Sequence, residues 1–351
     1  MGPTIAGGQV CRWHARVPLQ QVSDMFRVSS LAPMDDRQLN RWIKRLALIL
    51  VVGIPLFIGF YWMDRQVDPG LSMADRAIAA AEANVRANPD DLSARNNLAA
   101  AYVSAKRYPE GIAQFSQILA TDASYRAALI GRGIAYLDTK QLDLAGADFQ
   151  AFVDKNSSGQ FAKTDPQLEQ AYYELGVVQL QKGDAADAAA TLQEALSIDA
   201  GDADALFSLG EALNKTGDPT MAVSALKLAV AFVPTGWCDP YQELAVSYTA
   251  LKQADGVAWA NGMVAFCGGR LTDAAAALKP LTGGSMKTDA LLGLGFVAAQ
   301  EGDNAGAAGY FNRVLAIDPS NQSASIALSS IGAMSSAAPS AAASPTTEGS
   351  N

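Results

Sequence analysis

The chain has 351 residues, half of them apolar and only 8% aromatic, a profile that suits closely packed helices better than a sandwich of strands. Its net charge of −9 is unevenly spread: residues 1–45 carry seven basic and three acidic side chains, whereas from Arg65 onward nineteen basic residues face thirty-one acidic ones. An acidic body disfavours a nucleic-acid partner, because phosphate binding needs a basic stripe. The single histidine, His14, lies ahead of the main apolar run. The body therefore has no histidine for a catalytic triad, a zinc site or a haem ligand, and Cys11-Arg12-Trp13-His14 lacks the second cysteine of a haem-attachment motif.

In chain order, residues 1–33 show scattered glycine and proline and no helical period, and Met34-Asp35-Asp36-Arg37-Gln38-Leu39 makes a natural amphipathic lead toward the apolar run. Translation is accordingly expected to begin at Met25 or Met34, which N-terminal sequencing decides. Leu46 to Met63 is an uncharged apolar run of 18 residues, about 27 Å as a helix and close to the hydrocarbon thickness of a bilayer. Tyr61 and Trp62 close it where an aromatic belt would stand. Arg41, Lys44 and Arg45 precede the run, against Asp64 and Arg65 after it. The positive-inside rule then keeps residues 1–45 in the cytoplasm, spans the bilayer with residues 46–63 and sends the remainder across, the arrangement of a bacterial cytoplasmic-membrane protein. A cleaved signal peptide competes with this reading, but no small-x-small site comes after the run.

Beyond a linker and leading helix over residues 64–91, the chain repeats itself. Leu98-Ala99, Tyr102, Gly111 and Phe115 return 34 residues later as Arg132-Gly133, Tyr136, Ala145 and Phe149. The pattern resumes as Leu175-Gly176, Ala188, Leu192 and Ala195, then 34 residues on as Leu209-Gly210, Ala222, Leu226, Ala229 and Pro234. A last copy is Leu294-Gly295, Ala298, Ala307, Phe311 and Pro319. This resembles the tetratricopeptide repeat family, whose period is 34 residues. The resemblance implies an all-α fold, a right-handed superhelical α-solenoid, with repeats near 92–125, 126–159, 169–202, 203–236 and 288–321. It also implies an irregular stretch over 238–281 and a capping helix at 322–333. Lys155–Pro166 reads as an inserted polar loop, and 335–351, rich in Ser, Ala, Pro and Thr, as a disordered tail.

Cys238 and Cys267 are the only cysteines past the apolar run. A turn near Lys252–Ala254 would place them side by side at the open end of an antiparallel hairpin, where a disulfide can reach. Such a bridge is worth about 3–4 kcal/mol in the chain-entropy model; two free buried thiols are the alternative.

Nothing in the sequence supplies a catalytic site or a cofactor. Asp187, Glu194, Asp199, Asp202 and Asp204 fit helix caps and solvated faces. Asp199-Ala200-Gly201-Asp202-Ala203-Asp204 lacks the downstream bidentate glutamate of a calcium loop. No phosphate loop or nucleophile elbow appears. The expectation is a non-catalytic scaffold that binds a polypeptide. Family resemblance implies a concave groove along the first helices, lined by Asn96, Val103, Ile130, Ile134, Leu137, Tyr173, Val177, Leu180, Phe207, Glu211, Asn214 and Phe296. That set is largely apolar and aromatic with some polar rim, suited to an amphipathic or extended apolar segment, and does not match the Lys/Asn/Arg carboxylate clamp of tetratricopeptide cochaperones. The stretch from Glu82 to Asp91 is similar to the start of the repeat domain in cytochrome c biogenesis factors, anchored proteins that present apocytochrome to the haem-ligation machinery. A structural accessory subunit of a cell-envelope enzyme complex is the other reading.

Overall fold

The computed structural model describes residues 72–337, together with Ile54 and Pro55. The leader, all but two residues of the apolar run 46–63, and the tail beyond Ala337 lie outside the described residues. Among those described, no helix is long and apolar enough to cross a membrane. Among the described residues, fifteen α-helices from Met73 to Ala337 succeed one another without a strand. They are α1 Met73–Ala87, α2 Leu92–Ser104, α3 Tyr108–Thr121, α4 Arg126–Asp138, α5 Leu142–Asn156, α6 Pro166–Lys182, α7 Ala185–Ile198 and α8 Ala203–Thr216. The series continues with α9 Pro219–Phe232, α10 Asp239–Ala250, α11 Ala254–Cys267, α12 Leu271–Leu278, α13 Lys287–Gln300, α14 Asn304–Ile317 and α15 Gln322–Ala337.

Aspartates mark where these helices begin and end. Asp91, Asp165 and Asp202 hold extended backbone and accept hydrogen bonds from the N–H groups two and three residues on, opening α2, α6 and α8. Each such cap is worth about 1 kcal/mol. Asp122, Asp199 and Asp318 stand just after α3, α7 and α14 and accept from Ser124, Gly201 and Ser320 N–H at 2.8, 2.8 and 3.0 Å. The Asp199 and Asp202 carboxylates are thus engaged with backbone, as a turn between repeats requires.

In four of the hairpins a glycine on the first helix receives a large residue sixteen positions later. A Cβ built on Gly133 would lie 2.7 Å from the Phe149 ring, and on Gly176 2.6 Å from Leu192. Gly210 meets Leu226 and Gly295 meets Phe311 in the same way. Phe149, Leu192, Leu226 and Phe311 are all buried. Two helices approach this closely only where one side offers no Cβ.

The turn after the first helix needs a residue with positive φ. Gly183, Gly217 and Gly302 supply it after α6, α8 and α13, while Lys106, Lys140 and Lys252 hold φ near 60° after α2, α4 and α10. A side chain in that region costs about 1–2 kcal/mol. Arg132 takes the place that leucine holds in the other copies. It is satisfied by a two-pronged pair with the buried Asp148, at 2.8 and 2.7 Å, and by Ser116 Oγ at 3.0 Å. The inserted segment after α5 is tied down: Arg126 binds Asn156, Asp165 and Gln167, and Lys163 reaches Glu194 at 3.1 Å and Ser197 at 2.8 Å.

From α9 onward the stack departs from a simple succession. Lys227 on α9 bridges Asp289 on α13 at 2.6 Å, and Ser323 on α15 donates to the Ala231 carbonyl of α9 at 3.0 Å. Contacts across 62 and 92 residues fold α9 through α15 against one another. Helices α9 to α13 share a core that extends back to α6, in which Tyr241 and Tyr248 stand edge-on to Trp259 and the Lys227 ammonium sits 5.4 Å from the Trp259 ring centre, and α13 to α15 close a second.

Candidate functional site

Tyr173, Val177 and Leu180 recur along one face of α6, and Phe207 and Glu211 along the facing side of α8. Together they line a cavity of about 370 Å³ with Gln181, Asp204, Ser208, Lys215 and Trp237. The floor is aromatic, and all of its rings remain half-buried rather than buried. Trp237 closes it. Gly236, at φ 83°, turns the chain after α9, and Trp237 packs edge-on to Phe207 with ring centres 5.1 Å apart.

The remaining groove candidates divide by what they touch. Ile130 is 7% exposed and sits in the core shared by α4, α5 and α6, where it has little surface to offer a partner. Leu180 is 8% exposed and is mainly a packing residue, with only its edge at the cavity. Ile134 and Leu137 lean against that same core, half-buried. Val103 packs inside its own hairpin, 2.6 Å from a Cβ built on Gly111. Asn214 is spent on α10: it donates to the Glu243 carboxylate at 2.8 Å and carbonyl at 3.1 Å, and accepts from Ser247 at 2.7 Å. Phe296 lines a separate apolar cavity of about 420 Å³ with Phe232, Pro234 and Ile326, between α9, α13 and α15. Asn96 is half-buried with an unpartnered Oδ1. Helix periodicity does not single out Trp237, Asp204 or Lys215 as groove residues; an aromatic directly after Pro-Thr-Gly at the end of a repeat is the one signal for Trp237.

Carboxylates surround the cavity. Burial and the neighbouring Asp138 push Glu174 up to about 7. Burial and a hydrogen bond shared with Asp202 push Glu169 up to about 7. Tyr173 is driven up to about 12, first by burial and then by Asp204, Glu174 and Asp202. Both glutamates have an ordinary value of 4.5, so between that pH and about 7 the folded chain holds protons that the unfolded chain releases. Their stabilisation is full below about 4.5 and lost as pH rises through about 7. Discounted for solvent screening, the loss is on the order of 1 kcal/mol. Tm should therefore fall by roughly 2–4 °C between pH 5 and pH 8, and Glu174→Gln should flatten the slope. An unchanged slope in that variant would exclude Glu174 as its source.

Cys238 stands at the N-terminal cap of α10 and Cys267 is the last residue of α11. Both are half-buried free thiols, the bridge expected from sequence not being formed. Cys267 is raised above the ordinary thiol range by burial and by a hydrogen bond with Cys238. Among the described residues no three His, Cys, Asp or Glu side chains are placed to hold a metal ion.

The architecture has relatives. Models of the tetratricopeptide repeat match residues 72–130, and, in overlapping units, 159–203, 173–236 and 260–322. The chain belongs to the tetratricopeptide repeat family. Tetratricopeptide repeat proteins are in general non-catalytic interaction scaffolds, and the helical hairpins described above have that fold. No curated protein sequence matches the chain. Among solved structures it is similar to YrrB, described as a tetratricopeptide repeat protein with an unusual peptide-binding site, at 20% identity over 58% of this chain and 100% of that one, TM-score 0.48. It is also similar to PilW, a type IV pilus biogenesis factor, at 19% identity over 68% of this chain and 99% of the other, TM-score 0.39. A third is a tetratricopeptide repeat protein from Parabacteroides merdae, at 14% identity over 73% and 91%, TM-score 0.42.

Proposed function

We propose that this chain is a non-catalytic scaffold, held in a membrane by residues 46–63, whose repeat array captures a segment of a partner polypeptide outside the cytoplasm. The observation that carries the capture is the half-buried aromatic cavity between α6 and α8, where Tyr173 and Phe207 pack against the core yet stay partly open to solvent beside Trp237. Aromatic anchors of this kind dominate binding energy where they occur. The anchoring rests on the uncharged run and the basic residues before it. Release of the full chain from membranes by alkaline carbonate would overturn it.

The groove is tested with a photo-crosslinking side chain at Glu211 in the full chain, and with the same side chain at the outward-facing Gln150 as control. A discrete adduct is expected at Glu211 and none at Gln150. Trp237→Ala should weaken capture by at least about 2 kcal/mol, roughly 30-fold in affinity, with Tm little changed. Equal crosslinking at both positions, or full capture by Trp237→Ala, would reject the groove. An apocytochrome in the adduct would favour cytochrome maturation, and an enzyme subunit of the cell envelope would favour a structural accessory role.

A further inference from the structure

The groove carries a charge pattern as well as an apolar floor. Glu174 stands one turn before Val177 and two before Gln181 on the same face of α6, and both of those residues line the cavity. Asp204 opens the opposite wall on α8. Among the described residues neither Glu174 nor Asp204 forms an ion pair, and neither does Asp138, whose negative charge acts on Glu174. The cations nearby are engaged elsewhere. Lys215 is bridged to Glu211 at 2.6 Å and Lys182 to Asp143 at 2.8 Å. Lys140 reaches Gln181 at one end of the groove. Glu174 and Asp204 thus flank the aromatic floor without an ion-pair partner, and Asp138 adds negative charge beside Glu174. For the half-buried Glu174 this is an unfavourable state that a cation relieves, while at the exposed Asp204 a cation adds a solvent-screened pairing.

We propose that the occupant of this groove is a cationic amphipathic segment of a polypeptide, with an aromatic or aliphatic side chain seated among Tyr173, Val177, Phe207 and Trp237 and a lysine or arginine set against Glu174 and Asp204. The inference rests on the groove being the partner site and adds the chemistry of that partner. Apolar contact supplies most of the affinity. The carboxylates supply discrimination, because an acidic segment would bring like charges together across a partly desolvated surface. The same pattern speeds encounter at low salt, since the array as a whole is acidic.

Three short fluorescein-labelled peptides test this against the full chain in detergent micelles. Each carries the same tryptophan and leucine anchors, flanked by lysines, by serines or by glutamates. The lysine probe is expected to bind at least about tenfold more tightly than the serine probe, and the glutamate probe more weakly still. Adding salt should erode the lysine advantage. The double variant Glu174→Gln, Asp204→Asn should lower affinity for the lysine probe about tenfold and leave the serine probe unchanged, a readout that misfolding would not give. Equal binding of the lysine and serine probes, both lost in Trp237→Ala, would overturn the charge inference and leave the groove standing. Binding of none of the three would overturn it as well, while crosslinking at Glu211 decides the groove independently. Unaltered preference in the double variant would likewise overturn it.

Discussion

Phe311→Ala is expected to lower the stability of the last hairpin by about 3–5 kcal/mol and to reverse the sign of a substitution sixteen positions away. Phe311 is buried on α14 with its ring against Gly295 of α13, and a Cβ on Gly295 would fall 2.7 Å from ring carbon Cδ1. Gly295→Ala therefore sets two effects against each other. Alanine gains about 1 kcal/mol of helix propensity over glycine, whereas overpacking against a rigid ring costs about 1–3 kcal/mol. In the native background the clash wins and stability falls by about 1 kcal/mol. With alanine at 311 the ring is gone, and the propensity gain should remain as a net stabilisation. Thermal melts of the two single variants and the double variant measure the coupling, and an equal effect of Gly295→Ala in both backgrounds would contradict the packing argument. Because repeat arrays are held by neighbour contacts, amide exchange should quicken over α13–α15 and stay slow over α2–α5.

Oxidation of Cys238 and Cys267 to a disulfide is expected to stabilise the chain by about 3–4 kcal/mol, raising Tm by roughly 6–12 °C. The thiols share a hydrogen bond at the open end of the α10–α11 hairpin. Closing the bond therefore needs little movement, the two protons and two electrons passing to an exchanging disulfide that leaves as the dithiol. Burial holds Cys267 in the unreactive thiol form, so air alone should oxidise it slowly and a catalysed exchange should be needed. Cys238→Ser should keep the reduced Tm under all redox conditions. Protein made in an oxidising compartment that melts identically with and without reductant, with both thiols open to labelling, would exclude the staple.

The helical repeat was legible because its determinants are local and periodic. Gly176, Gly210 and Gly295 mark close approach, and Leu192, Leu226 and Phe311 fill it, at spacings that any correct helix pairing must reproduce. Asp202 could be read as a cap from its place ahead of an alanine-rich run. The cavity was legible only in part. Tyr173, Val177, Phe207 and Glu211 follow from the family resemblance, but whether such a residue faces a partner or a neighbouring helix depends on how far each hairpin is rotated against the next. That rotation is set by packing across the stack, which sends Ile130 into the core and gives Asn214 to α10. Trp237 belongs to a loop, and a loop's path has no period to read. The approach of α15 to α9 arises from the irregular segment between them and has no signature in either helix.

That approach bears on how the chain is made. The hairpins from α2 to α7 depend mainly on neighbours close in sequence, so they can settle one after another as the polypeptide emerges. The block from α9 onward cannot. Its closing contacts, Lys227 with Asp289 and Ala231 with Ser323, join residues synthesised 62 and 92 positions apart. Until α13 arrives the core around Trp259 waits without its full cover, and until the final helix arrives so does Phe232. The groove residues, from Tyr173 to Trp237, are all in place before α10–α15 are made, so loading of a partner and completion of the array need not coincide.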